Sequence, residues 1–254
     1  MDKTSLGDRM KKYERAFKSS LPQRMPVIIR VDGKAFHSYT KGIPSFSQDL
    51  REVMDIAALE FCEQIQGAQF AYVQSDEISI LIHTYKRFAS QGWFDNGLQK
   101  ITSVSAAIAS AIFTANSGRF ADSSSGLKPA FFDSRAFVLP ESDVNNYFIW
   151  RQQDWHRNSV QMLARTLYSH KECYKKNNSE LQEMCFEKGH NWNDLPLHDK
   201  RGRCIVKTSW LSPWAIEQGG YLPLIRDRNW CSTPAWDFKK EKQRVGEFLE
   251  VEEE

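Results

Sequence analysis

The sequence predicts an α+β fold of the split β-α-β, ferredoxin-like kind, in the order β-α-β-β-α-β, continued by additional C-terminal helices and an irregular appendage. Three observations carry this. Two apolar runs, 68–74 and 78–83, are separated only by Ser75-Asp76-Glu77, a hairpin-length connection. A β-branched run precedes that pair and an alternating run follows it. Between these strands lie two segments with apolar residues at helical spacing.

The first strand, Pro26-Val-Ile-Ile-Arg-Val-Asp32, stops at the turn-forming pair Asp32-Gly33. Alternation places Val27, Ile29 and Val31 on one face and Ile28, Arg30 and Asp32 on the other. A helix follows with apolar Leu50, Val53, Met54, Ala57, Phe61 and Ile65, capped by Ser47 and stopped at Gly67. The helix over 97–116 is rich in Ala and Ser, with Ile101, Val104, Ile108 and Ile112 on its stripe. Its small residues let it sit close to a sheet. The fourth strand covers 131–139, ends at Pro140, and puts Phe131, Asp133, Arg135 and Phe137 on one face. Ser142 opens a helical region to about residue 170. Beyond Asn177 come loops rich in Asn, Trp and Pro, then a strand from Lys207 to Trp214. In this topology the first and third strands are neighbours, which brings Asp32 and Asp76 together at one end of the sheet.

A chain of 254 residues suffices for one large domain or for a catalytic domain with an appendage. The reading divides it into a core over 1–140 and a helical, loop-rich extension over 141–254 packed on that core. Five widely spaced cysteines with no C-x-x-C pair point to reduced thiols. The spacing of Cys173, Cys185, His190, His198 and Cys204 matches neither a zinc ribbon nor a zinc finger. The start lacks the apolar centre of a secretory signal, and no uninterrupted apolar run spans a bilayer. An intracellular, cytoplasmic protein without a membrane partner is therefore expected. Net charge is only +2, yet residues 1–24 carry seven Lys/Arg against three Asp/Glu, and 150–207 carry eleven against seven. The stretch from Glu247 to Glu254 is acidic. The basic segments suit a polyanionic ligand, although solvated faces show the same pattern.

Two aspartates held close repel when ionised, and a site that keeps both ionised usually does so with a cation. Magnesium takes oxygen ligands and is commonly shared between carboxylates and substrate phosphates. Asp32 and Asp76 are the candidate ligands, the Gly33 carbonyl a further one, and Glu77 a supporting catalytic carboxylate. The alternative is that Asp32-Gly33 and Ser75-Asp76 are ordinary turns.

The residues around this pair resemble the tRNA-His guanylyltransferase superfamily, especially its Thg1-like proteins, which are template-dependent 3′-to-5′ RNA polymerases. The matching segments are Arg30-Val-Asp-Gly-Lys-Ala-Phe-His37, Gln74-Ser-Asp-Glu-Ile-Ser79 and Phe132-Asp-Ser-Arg135. They continue with Trp150-Arg-Gln-Gln-Asp154, His156-Arg-Asn-Ser159, Ser169-His-Lys-Glu172, Asn191-Trp-Asn-Asp194 and Lys200-Arg-Gly202. The resemblance implies a polymerase-type palm in the first 140 residues and a tRNA- and nucleotide-binding role for the extension. It implies ATP activation of a 5′-monophosphorylated tRNA end, followed by attack of the 3′-hydroxyl of an incoming nucleotide such as GTP. It also implies two Mg2+ ions on Asp32, the Gly33 carbonyl and Asp76, and a homotetramer engaging the 5′ end and acceptor stem of tRNA. Asp32, Gly33, Lys34, Ala35, Phe36, His37, Ser75 and Asp76 would hold the incoming nucleotide.

Where eukaryotic guanylyltransferases read H-I-N-N-L-Y-N, this chain reads His-Arg-Asn-Ser-Val-Gln-Met162, with Ser159 and Met162 replacing two asparagines. That form looks like the Thg1-like branch and favours repair of 5′-truncated tRNA over addition of G to tRNA-His. Near Pro44-Ser45-Phe46 relatives often place a lysine, for which Lys41 could substitute. Candidate phosphate or tRNA contacts are Arg30, Lys41, Lys100, His156, Arg157, Asn158, Lys171, Lys200 and Arg201. Arg157 and Lys171 also fit ordinary exposed helix positions, Lys100 a solvated lysine, and Arg135 an ion pair with Asp133. Trp150, Trp155, Trp192, Trp210 and Trp214 fit base stacking or core packing. A second class of function is a non-catalytic RNA-binding module that reads bases from the sheet with Phe131 and Phe137. A third is a nucleotide cyclase, against which the basic downstream segments speak.

Overall fold

The computed structural model describes residues 5–87, 89–120, 128–210, 225–226 and 229–251. Seven strands form one sheet: β1 (Val27–Gly33), β2 (Ala68–Gln74), β3 (Glu77–Ile82), β4 (Phe132–Val138), β5 (Arg203–Lys207), β6 (Ile225–Arg226) and β7 (Trp230–Pro234). Their order across the sheet is β4-β1-β3-β2-β5-β7-β6, and every neighbouring pair is antiparallel. The first four strands therefore have the arrangement of a split β-α-β unit, with β1 beside β3.

The helices cover both sides. Ser47 caps α3 (Gln48–Gln64) by accepting from the Leu50 N–H at 3.3 Å. Its stripe of Val53, Ala57 and Phe61, with Ala109 and Phe113 of α4 (Leu98–Asn116), packs on Ile29, Val31, Ile78 and Ile80. The small side chains of α4 do allow a close approach: Ser105 Oγ lies 2.6 Å from Ser134 Oγ on β4. By length and composition α4 is also apolar enough to cross a bilayer, which the sequence reading overlooks because Ser and Thr interrupt the run. Here it lies against α3 and the sheet.

On the opposite face, Ile28, Phe70, Tyr72 and Leu81 meet Val144, Tyr147 and Phe148 of α5 (Glu141–Leu167). Trp236, Phe238 and Phe248 from the C-terminal segment complete this layer, Phe248 directly following α9 (Gln243–Glu247). Strands buried on both faces read as near-continuous apolar runs, which is why β1 and β3 are prominent in the sequence. At 27 residues α5 is about 40 Å long, and its far half carries α7 (Asn178–Glu187) through Leu163, Leu181 and Cys185. A helix at the other end of the chain, α1 (Leu6–Ala16), buries nothing; Leu6, Met10, Tyr13 and Phe17 all stay exposed.

The helical region expected to run to residue 170 divides at Ser169. That residue caps α6 (His170–Cys173) in a reciprocal box with Glu172. The strand expected from Lys207 to Trp214 is displaced: β5 ends at Lys207, Thr208–Trp210 is a 3₁₀ turn, and 211–214 lie outside the described residues. The cause is Gly202, whose φ of +79° turns the chain out of α8 (Leu197–Arg201) directly into β5. Since β5 pairs with β2, and β7 with β5, segments from either side of residue 140 share one sheet.

Candidate active site

Asp32 closes β1, in register with Glu77 of β3 and Asp133 of β4. The Gly33 N–H donates to the Asp76 carbonyl at 3.1 Å, so the end of β1 and the β2–β3 hairpin are bonded side by side. The hairpin is tight enough that Ser75 takes a left-handed φ of +46°. Gly33 is required for a packing reason: a Cβ there would lie 2.2 Å from the Phe36 ring. Phe36 is wedged against Phe113 and Phe132, and this aromatic cluster fixes the loop that follows β1.

The two aspartates are electrostatically uncomfortable. Burial, then the charges of Asp76, Glu77 and Asp133, push the Asp32 pKa up to about 6, with Arg30 opposing. Asp76 is also raised, chiefly by burial, against a lowering hydrogen bond from Ser75. Among the described residues neither carboxylate has a basic partner at ion-pair distance. Two desolvated carboxylates without an ion-pair partner among the described residues, beside a close-approaching backbone, are a donor set suited to a hard divalent cation.

Glu77 has a different part from the catalytic one expected of it. Its carboxylate takes two bonds from Arg151 of α5, at 2.8 Å to Oε1 and 2.6 Å to Oε2. Gln74 and Ser79 also donate to Oε1. Glu77 faces α5, on the same side of the sheet as its pairing partner Asp32, and is almost fully covered, so its oxygens are committed to the protein. Arg151 reaches on to Asp154 at 3.0 Å, which in turn binds Arg157.

A cleft of about 620 Å³ opens beside the hairpin. Phe36, His37, Lys41, Ser75 and Asp76 line one wall, and Asn158, Gln161, Met162 and Arg165 of α5 line the other. The second set recurs at i, i+3, i+4 and i+7, one face of a helix. Arg51, bound to Asp199 at 3.2 Å, and Arg203, bound to buried Asp55 at 2.6 Å, also border the cleft. Sequence reasoning missed Arg51, Arg165 and Arg203; the helical spacing from Asn158 would have found Arg165.

Residues 7–140 match the family model described as tRNAHis guanylyltransferase. The chain belongs to that family. A solved bacterial tRNA(His) guanylyltransferase (Thg1)-like protein in complex with ATP is 42% identical, with a TM-score of 0.85, covering 97% of this chain and 100% of that one. A bacterial Thg1-like protein in complex with GTP is 40% identical, with a TM-score of 0.77 and coverages of 96% and 99%. A probable tRNA(His) guanylyltransferase of Dictyostelium discoideum is 28% identical over 204 residues, 74% of this chain and 77% of the relative. The α+β fold and the enzyme class, nucleotidyltransferase, follow from this membership.

The other residues singled out in this family member are dispersed. Lys34 and Ala35 are exposed just after β1; the Lys34 N–H is spent on the Phe131 carbonyl at 2.8 Å, and Ala35 takes a φ of +55°. With Gly33 and Lys34 engaged, the loop N–H groups left for a phosphate are those of Ala35, Phe36 and His37. Arg30 is mid-strand, its guanidinium 5.7 Å from the Trp150 ring, and acts on Asp32 through its charge. Lys41 and Asn158 line the cleft, whereas His156 packs on Trp192 and Arg157 pairs with Asp154 at 2.6 Å. Lys100 sits over the Phe94 ring near the start of α4. Lys171 is exposed on α6. Lys200 donates to the Asn193 carbonyl, and Arg201 contributes its carbonyl to Tyr72. Arg135 pairs with Asp133 at 3.4 Å on the exposed edge strand. Of the five tryptophans singled out, Trp155 is buried, Trp150 is exposed, Trp192 packs on His156, Trp210 packs on Trp236, and Trp214 lies outside the described residues.

Proposed function

We propose that this chain adds nucleotides in the 3′-to-5′ direction to the 5′ end of tRNA, repairing 5′-truncated tRNA against its own template strand. The observation that carries this reading is a pair of carboxylates, Asp32 and Asp76, with no basic partner at ion-pair distance among the described residues, Asp76 lying on the wall of a cleft of nucleotide size whose opposite wall carries Asn158, Gln161 and Arg165. The ATP and GTP complexes of the similar Thg1-like proteins support nucleoside triphosphates as substrates. The 5′-monophosphate attacks the α-phosphate of ATP and displaces pyrophosphate, and the 3′-hydroxyl of the incoming nucleotide then attacks the adenylylated 5′-phosphate, displaces AMP and loses its proton to solvent. Asp32, Asp76 and the Gly33 carbonyl would hold two magnesium ions. Bound there, magnesium lowers the pKa of the attacking hydroxyl and neutralises phosphate charge. His37, Lys41 and the free N–H groups of the loop orient the triphosphate.

Repair is favoured over G addition to tRNA-His by the two departures from the asparagine-rich motif. Ser159 is fully buried and its hydroxyl accepts from the Trp192 indole at 3.0 Å. Met162 faces the cleft. A thioether there gives no strong directional hydrogen bond, which suits a site that leaves base choice to pairing with the template. A purely RNA-binding module is disfavoured because Phe137 packs edge-on against Tyr147 and α5 covers that face of the sheet. Assembly as a homotetramer belongs to the same reading. The exposed stripe of α1 has the 4-3-4 spacing of a helix-pairing seam, and light scattering would give the assembled mass.

The test supplies magnesium, labelled nucleotides and two RNAs, a tRNA lacking its first nucleotide and an intact tRNA-His. Templated extension of the first is expected. Addition of G to the second alone would replace repair by tRNA-His maturation, and incorporation on neither would overturn the assignment.

A further inference from the structure

Beside the cleft lies a second, smaller and open cavity of about 200 Å³, lined by residues of α5, α6, the α6–α7 connection and α7. Gln161 and Arg165 border both cavities, so the two are joined along one face of α5. Beside these two residues, His170, Lys175 and Lys176 line the small cavity together with Cys173, Tyr174 and Leu181, and no carboxylate is among its lining residues. Lys176 shares its charge with Glu180 at 3.4 Å on the solvent side. Lys175 is held in a left-handed turn at φ +60°, its ammonium 5.4 Å from the Tyr174 ring. Asn177 fixes the same turn from the other end by capping α7 in a reciprocal box with Glu180.

This cavity is smaller than the roughly 300 Å³ at which pockets begin to hold whole drug-sized ligands. It has room for a phosphate group but not for a nucleoside with it. We propose that it is a phosphate subsite, in which Arg165, Lys175 and Lys176 hold a phosphate of a ligand whose reacting end occupies the cleft. The inference rests on the nucleotidyltransferase reading of the cleft. Arg165 forks between the two cavities and suits a bridging phosphate, whereas the two lysines act as point charges at the far side. The phosphate comes either from the RNA strand or from a nucleoside triphosphate, and the two sources separate experimentally.

The variant is Lys175→Ala/Lys176→Ala, both exposed, with Lys175→Glu as a second variant; circular dichroism checks that each is folded. The probes are a labelled, 5′-monophosphorylated tRNA lacking its first nucleotide, titrated at several salt concentrations, and ATP in steady-state extension assays. If the phosphate belongs to RNA, the slope of log affinity against log salt becomes shallower by about 0.7–0.9, the share of one phosphate, with the KM for ATP unchanged. If it belongs to the triphosphate, the KM for ATP rises with the RNA slope intact. Unchanged slope and unchanged KM in both folded variants, beside an active wild type, would overturn the subsite. An inactive wild type would instead strike at the function itself.

Discussion

The Glu77–Arg151 pair is where the active-site end of the sheet is fastened to α5, and Arg151→Met tests it. Both side chains are nearly inaccessible, at 7% and 8% exposure, and joined by two short bonds. Removing one partner of a buried pair costs about 3–5 kcal/mol, because the remaining charge stays buried without compensation. In a protein of this size 1 kcal/mol moves the melting temperature by about 2–4 °C, so the variant should melt roughly 6–20 °C lower. Glu77→Gln should cost less, since Arg151 keeps Asp154 at 3.0 Å. The double variant should be distinctly less destabilised than the sum of the singles. Thermal unfolding of all four proteins, followed by circular dichroism in chelator, gives the cycle. Because Glu77 directly follows Asp76, Arg151→Met should also raise the magnesium requirement by about 10–100-fold, the range for an outer-shell partner. A melting temperature within about 2 °C of wild type, or strict additivity, would refute the fastening role.

Three other perturbations follow from the site. The raised pKa of Asp32, about 6 against an ordinary 3.8, means that the folded chain binds more protons than the unfolded one in that window. Stability in chelator is therefore lost as pH rises through it and stays lost above. Asp32→Asn should melt higher than wild type at pH 7.5, with the difference vanishing below the ordinary value. It should also be inactive, and magnesium should raise the melting temperature of wild type but not of this variant; melts in chelator and in magnesium across pH check all three points. Gly33→Ala must displace the Phe36 ring from its cluster, which costs about 1–3 kcal/mol as overpacking and should abolish extension, measured by denaturant titration and gel assay. Lys100→Ala should leave both rate and RNA affinity within twofold of wild type, because that lysine sits over the Phe94 ring and is not among the residues that line the cleft.

The parts of this architecture that can be read from the sequence are those that local rules specify. β1 and β3 stand out as apolar runs because both of their faces are buried, and the short connection expected between β2 and β3, in the structure the two residues Ser75-Asp76, leaves no topology but a hairpin. From that, the adjacency of Asp32 and Asp76 follows. The role of Glu77 does not, since its partner Arg151 lies 74 residues away and nothing near Glu77 signals a guanidinium. β5 is equally silent. Between charged Arg203 and Lys207 it offers only Cys204, Ile205 and Val206, too short an alternation to separate from a loop.

One local clue to the C-terminal half was nonetheless present. Asp55 falls inside the buried stripe of α3, between Met54 and Ala57, and a carboxylate at 1% exposure must have a partner. That partner is Arg203, 148 residues on, with Ser232 of β7 at 2.7 Å on the other oxygen. Arg51, one helical turn earlier, makes the parallel bond to Asp199 of α8. Two charge pairs on α3 thus hold α8, β5 and β7 against the core, and Arg51, Asp199 and Arg203 are themselves part of the cleft wall. A buried charge in a helical stripe announces that some distant cation completes the core, without saying which. Here the cations it demands also shape the cavity, so the fold of the C-terminal segment and the form of the active site rest on the same contacts.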